Sequence, residues 1–214
     1  MAGRRAYRSE LRAQQAEETR RRVVRAAAEL FARTGYQSTT LAAIARTAGV
    51  STETVKGQGS KAALLLAAFE TTFAGSEGRT SLADTEVGAG VLEVPDEQFL
   101  PAVVEILATA NERGHALWTV VLAAALSDPV VAEALEQILQ RRHADLLRLL
   151  DELRRRGIAS PDAPDSVAAE LSFLGSPEAW QQLVVQSGWA REAYTAWLLR
   201  SVTAAAARAG GQPD

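Results

Sequence analysis

Ser51, Thr52, Glu53, Thr54 and Lys56 fall within six consecutive positions, and Lys61 follows five further on. Hydroxyls, one carboxylate and two ammonium groups at this density suit hydrogen bonding to polar edges and phosphates. Glu53 can accept from cytosine N4, and Thr52 can contact a thymine methyl. Lys56 and Lys61 can each meet a phosphate as a point charge. Upstream, Thr39 and Thr40 are candidate caps of a preceding helix, whose first N–H groups and positive dipole end suit a phosphate.

Two short helices must position these groups. Leu41, Ile44, Ala45 and Ala48 recur three and four apart and give one apolar helical face. Gly49 supplies the turn, because glycine takes positive φ without steric cost. Ser51 is then the N-cap of a second helix anchored by Val55. A small residue before the glycine and a branched one after it suit a helix-turn-helix.

Charge supports a polyanionic partner for this region. Residues 1–61 carry 12 basic and 5 acidic side chains, and the remainder 11 and 21, so a front of +7 precedes a body of −10. A basic head on an acidic body is the footprint expected when the head alone meets nucleic acid. Residues 1–14 are Arg-rich without clear periodicity and read as a flexible basic arm, able to lie along a DNA backbone or in a minor groove.

The rest reads as helix. Glu17 to Thr34 is the first helix, stopped by Gly35, and Ser60 to Ala74 the fourth. Gly75 to Asp96 reads as a loop, Glu97 to Arg113 as helix, and Ala116 to Leu126 as a separate buried one. Asp128 caps a long helix, with Pro129 at its first position and Gly157 at its end. Asp165 caps a helix to Phe173, helix resumes from Ser176 to Gln186, and the last runs from Trp189 to Ala207. The fold class is all-α.

The stretches AAAELFARTGYQSTTLAAIARTAGVSTETV and SKAALLLAAFE resemble the TetR-type bacterial transcription regulators, and SPEAWQQLVVQSGW with AYTAWL resembles the end of many of them. The resemblance implies a three-helix DNA-binding head (15–61) and a helical ligand-binding and dimerisation body (62–210). It implies a homodimer on a palindromic double-stranded DNA operator, acting as a repressor. By resemblance the final two helices pair with a second copy, with Trp180, Leu183, Val184, Trp197, Leu198 and Val202 as interface candidates. Phe69, Phe73, Val103, Leu107, Trp118, Leu122 and Phe173 are candidates for the pocket, as large apolar groups on body helices. With few charges there, a small apolar or aromatic ligand is expected.

The chain departs from the family at one place. Members usually continue after the Val55 position with an aromatic-rich run such as Tyr-His-His-Phe, whereas here Lys56-Gly57-Gln58-Gly59 is shorter and has no aromatic. Glycine costs ~1 kcal/mol in a helix relative to alanine, so the recognition helix is expected to stop near Lys56. The competing reading is a helical small-molecule-binding or interaction protein of this architecture with weakened or lost DNA binding.

An enzyme is not expected. Gly57-Gln58-Gly59-Ser60-Lys61 lacks the phosphate-loop spacing and a preceding strand, and no G-x-S-x-G elbow occurs. His115 and His143 lie on separate helices without a neighbouring carboxylate pair, and no metal or cofactor is indicated. The absence of cysteine fits a reducing cytosol. A front end unlike a signal peptide and apolar runs below ~20 residues give the expectation of a cytoplasmic protein without a membrane partner.

Overall fold

The computed structural model describes residues 2–75, 77–78 and 85–207, the side chains of 2–10, 86 and 87 aside. Arg4, Arg5 and Arg8 of the expected arm, part of the Gly75 to Asp96 loop, and 208–210 of the expected body lie outside that description.

Ten helices are described: α1 (Ala2–Ser38), α2 (Leu41–Ala48), α3 (Thr52–Gln58), α4 (Lys61–Ala74), α5 (Glu86–Val91), α6 (Asp96–Ala125), α7 (Pro129–Arg155), α8 (Pro164–Leu174), α9 (Pro177–Trp180) and α10 (Arg191–Ala206). α9 continues as a π-helical turn over Gln181–Gln186. Among the described residues no strand occurs, as expected for the all-α class.

Caps account for most boundaries. Thr40, Ser51 and Ser60 accept from Ala43, Thr54 and Ala63 N–H groups at the starts of α2, α3 and α4. Asp128 accepts from Val130 N–H at the start of α7, with Pro129 at its first position. Gly35 leaves helical geometry at φ 76°, ψ 175°, and divides the long α1 from the turn that follows.

Several boundaries differ from the sequence reading. α1 begins at Ala2, so the backbone of the expected arm is helical. Its Ala, Arg, Glu, Leu and Gln content favours helix and no proline interrupts it. α5, capped by Thr85, interrupts the expected loop. α8 is preceded by Ala163, and Asp165 lies in its first turn instead of capping it. α6 runs unbroken through Gly114, where two helices were expected.

Two apolar clusters form the core. The first joins Val23, Phe31, Tyr36, Ile44, Val55 and the inner face of α4 to Leu117, Trp118 and Val131 of α6 and α7. The second joins Phe99, Leu150, Leu153, Leu171, Trp180, Tyr194 and Leu198. The first therefore runs from the front helices into the body, and α4 lies within it.

Candidate nucleic-acid interface and body cavity

Ile44, Ala45, Ala48 and Val55 are buried, and Gly49 turns the chain at φ 65°. Val55 has no exposed surface and pins α3 to the head. That leaves Ser51, Glu53 and Lys56 exposed and Thr52 and Thr54 half-buried. Glu53 pairs with Lys56 at 3.3 Å, and the Ser51 and Thr54 hydroxyls lie 2.8 Å apart. These are exposed, exchangeable contacts that incoming bases or phosphates can replace at little cost.

α3 extends two residues beyond the expected stop at Lys56. Arg20 on α1 donates to the Gln58 carbonyl at 2.5 Å and is itself held by Glu77. Its guanidinium thus caps the negative end of α3, offsetting the glycine cost. Arg20→Ala should lower stability by ~1–2 kcal/mol, since hydrogen bonds to charged groups are the stronger kind. Thermal melting and salt-dependent DNA retention should both weaken.

Two other candidates are engaged internally. Thr39 is buried, donates to the Gly35 carbonyl at 2.7 Å and meets the Thr34 hydroxyl at 3.0 Å, so it is a turn-locking residue and is not presented for DNA contact. Lys61 donates to the Tyr36 and Thr39 carbonyls at 3.0 and 3.2 Å, and its ammonium lies 4.3 Å from the Tyr36 ring centroid. Its reach to a phosphate is constrained by those contacts. Thr40 stays exposed as a cap.

Tyr36 also ties head to body. Its hydroxyl donates to Asp128 at 2.5 Å, and Gln37 donates to Ser127 at 2.8 Å. Burial first, then the hydrogen bond and charge of Asp128, raise the Tyr36 pKa, and burial raises that of Tyr194. Both phenols are held neutral in the folded chain, whereas unfolded tyrosine ionises near pH ~10. Their stabilisation is present below that pH and is lost as pH rises above it. Melting temperature should fall on passing from about pH 9 to 11, and less steeply in Tyr36→Phe.

The body holds a partly open cavity of about 380 Å³. Phe69 and Phe73 of α4, Phe99, Val103, Ile106 and Leu107 of α6, and Arg142, Leu146 and Leu149 of α7 contribute to its wall, with Leu171 of α8. Four expected pocket residues are therefore brought together: Phe69, Phe73, Val103 and Leu107. Trp118 is not in the lining; it is buried behind Phe69 at 5.3 Å between ring centroids. Leu122 packs against the first core cluster, and Phe173 is 71% exposed on the opposite side of its helix from buried Leu171.

The charges in this wall were not foreseen. Asp145 pairs with Arg148, and Glu152 with Arg155 and Arg156. Arg155, then Arg156, holds the Glu152 carboxyl at about 2, well below its usual range. Arg156 also donates to the Leu92 and Val94 carbonyls and pairs with Asp96, closing α5 and α6 onto α7. Arg142 instead lies over the Trp118 ring, 4.7 Å from its centroid. Few charges are expected near the pocket from the sequence, and the packing of α7 against α4 and α6 brings Arg142 to its wall.

Of the interface candidates, Trp180, Leu198 and Val202 are buried in the chain's own second cluster. Leu183, Val184 and Trp197 pack at its edge, and Val185 and Trp189 are 50% and 37% exposed. His115 meets Gln181 at 2.8 Å and His143 meets Asp165 at 3.2 Å. No metal-binding cluster occurs among the described residues. No helix there is long and apolar enough to cross a membrane.

Residues 23–68 match the sequence model of the bacterial regulatory proteins of the tetR family. Among solved structures, a proposed transcriptional regulator from Saccharomonospora viridis, in complex with choline, is 23% identical. It aligns over 85% of this chain and 94% of its own, with a TM-score of 0.67. NalD, the secondary repressor of the MexAB-OprM multidrug efflux pump in Pseudomonas aeruginosa, is 20% identical over 91% of this chain and 98% of its own, with a TM-score of 0.63. These similarities show a shared fold. A comparison with curated protein sequences finds no significant match.

Proposed function

We propose that the chain, whose residues 23–68 match the model of the tetR family of bacterial regulatory proteins, is a ligand-responsive repressor that binds a palindromic operator as a homodimer. In this reading residues 15–61 form the DNA-binding unit, and 62–210 the ligand-binding and dimerisation unit. Thr52, Glu53 and Thr54 face base edges, while Thr40, Ser51 and Lys56 meet the backbone. Thr39 and Lys61 position the turn, and Lys61 meets a phosphate only by giving up its contacts to the Tyr36 and Thr39 carbonyls. The two heads dock about one helical turn of DNA apart or more. The protein acts in the cytoplasm.

The observation that carries this reading is the double use of α4. Phe69 and Phe73 form part of the cavity wall, while Ser60 and Lys61 at the other end cap that helix and bind the Tyr36 and Thr39 carbonyls. A molecule that prefers one placement of the two rings biases the placement of the head, and reciprocally DNA alters its affinity. The choline complex and the efflux-pump repressor among the similar folds agree with a small-molecule site and a repressor output. Leu183, Val184, Val185, Trp189 and Trp197 supply apolar surface for a second copy, the aromatic groups being suited to a desolvated contact.

Selection of genomic fragments on the full-length protein tests the reading. A palindromic site should emerge, bound by a dimer with a steep salt dependence. The short α3 with its Gly57 and Gly59 favours the alternative of a binding module with weakened DNA contact. Micromolar or weaker affinity for every fragment, with and without cell extract, would select that alternative.

A further inference from the structure

We infer that the cavity takes a carboxylate-bearing apolar molecule, an aryl-alkyl or medium-chain aliphatic acid, with its carboxylate on Arg142 and its apolar part along Phe69, Phe73, Val103 and Leu107. This rests on the ligand-binding reading of the body and specifies the ligand's class.

The charges of the wall lead there. Asp145 and Arg148 neutralise one another, and Glu152 is engaged by two arginines. Among the described residues Arg142 has no carboxylate within ion-pair distance; it lies against the Trp118 ring and feels exposed Glu178 only as a more distant field. Burial disfavours its charged form. A guanidinium stays protonated even so, and its planar fork matches a carboxylate in two parallel hydrogen bonds. The remaining wall is mainly aromatic and aliphatic. A half-buried cation with no carboxylate in ion-pair contact, at the edge of an apolar chamber, favours a ligand that brings an anion on an apolar stem. A cationic ligand would instead require a free carboxylate, and both acids of the wall are paired.

The site also reaches α4 by direct contact. Arg142 covers Trp118, Trp118 meets Phe69 at 5.3 Å, and Phe69 stacks on Phe73 at 5.3 Å. A carboxylate that draws Arg142 off the indole face changes the packing beneath the helix that carries Lys61.

Titration calorimetry on the full-length protein, supported by thermal shift, tests the assignment. The probes are decanoate and 4-phenylbutyrate, the primary alcohols of the same carbon skeletons, and decyltrimethylammonium. Each acid should bind at least ~10-fold more tightly than its alcohol, and more tightly than the ammonium probe. In Arg142→Gln that preference should collapse toward unity, and Arg142→Lys should retain part of it. Equal binding of acid and alcohol, a preference for the ammonium probe, or an unchanged ratio in a folded Arg142→Gln overturns the assignment while leaving the cavity as a ligand site. Absence of heat and of thermal shift for every probe overturns the assignment and counts against the ligand-binding reading as well. The wild-type acid-to-alcohol ratio decides the matter even if both Arg142 variants misfold.

Discussion

An aspartate in place of Val55 should abolish DNA retention while the body stays helical. Val55 is wholly buried and is the side chain through which α3 enters the core. An unpaired carboxylate there costs several kcal/mol, on the order of ~3–5, more than a helix of seven residues can supply by itself. The variant should lose salt-dependent binding to all DNA, specific or not. Far-UV circular dichroism should fall only by the contribution of the front helices. Val55→Ala, which removes two methyl groups, should be milder, at ~1–3 kcal/mol. Retention at wild-type salt by Val55→Asp would mean that α3 does not present the reading surface.

Gly114→Val should produce the second large effect, in the body. A Cβ at position 114 would lie 2.8 Å from Cδ2 of Phe73 and 3.2 Å from its Cβ. One of those contacts is near the Phe73 backbone, so rotation of the ring cannot relieve both. Either α4 moves away from α6 or the ring is driven toward the cavity. Overpacking of this kind costs ~1–3 kcal/mol, which lowers the melting temperature by several degrees. Decanoate affinity should drop in the same variant. Gly114→Ala should do both to a smaller extent. Unchanged melting and binding in both variants would show that α4 and α6 do not make the close approach.

The same glycine explains one misreading of the sequence. Read from sequence, one helix ends at Arg113, just before Gly114, and another begins at Ala116, yet α6 continues through both. Close packing against Phe73 favours a residue without a side chain there, and tertiary contact overrides propensity. Helix-turn-helix geometry was legible because its determinants are local: Gly49 at positive φ, Ser51 as cap and Val55 as anchor. The cavity was half legible. Phe69, Phe73, Val103 and Leu107 were expected as large apolar groups on body helices, but size and apolarity cannot say which groups line a void and which fill the core, as Trp118 and Leu122 do. Arg20 and Arg142 were illegible as partners of Gln58 and Trp118, because those contacts span distant parts of the chain.

Between the last residue of α3 and the first of α4 stand just Gly59 and Ser60. Such a joint has almost no slack, so any tilt given to α4 at the cavity is inherited by the reading helix instead of being absorbed along the way. A flexible spacer inserted there would uncouple sensing from grip, leaving a protein that still recognises both of its partners and no longer lets either one know about the other.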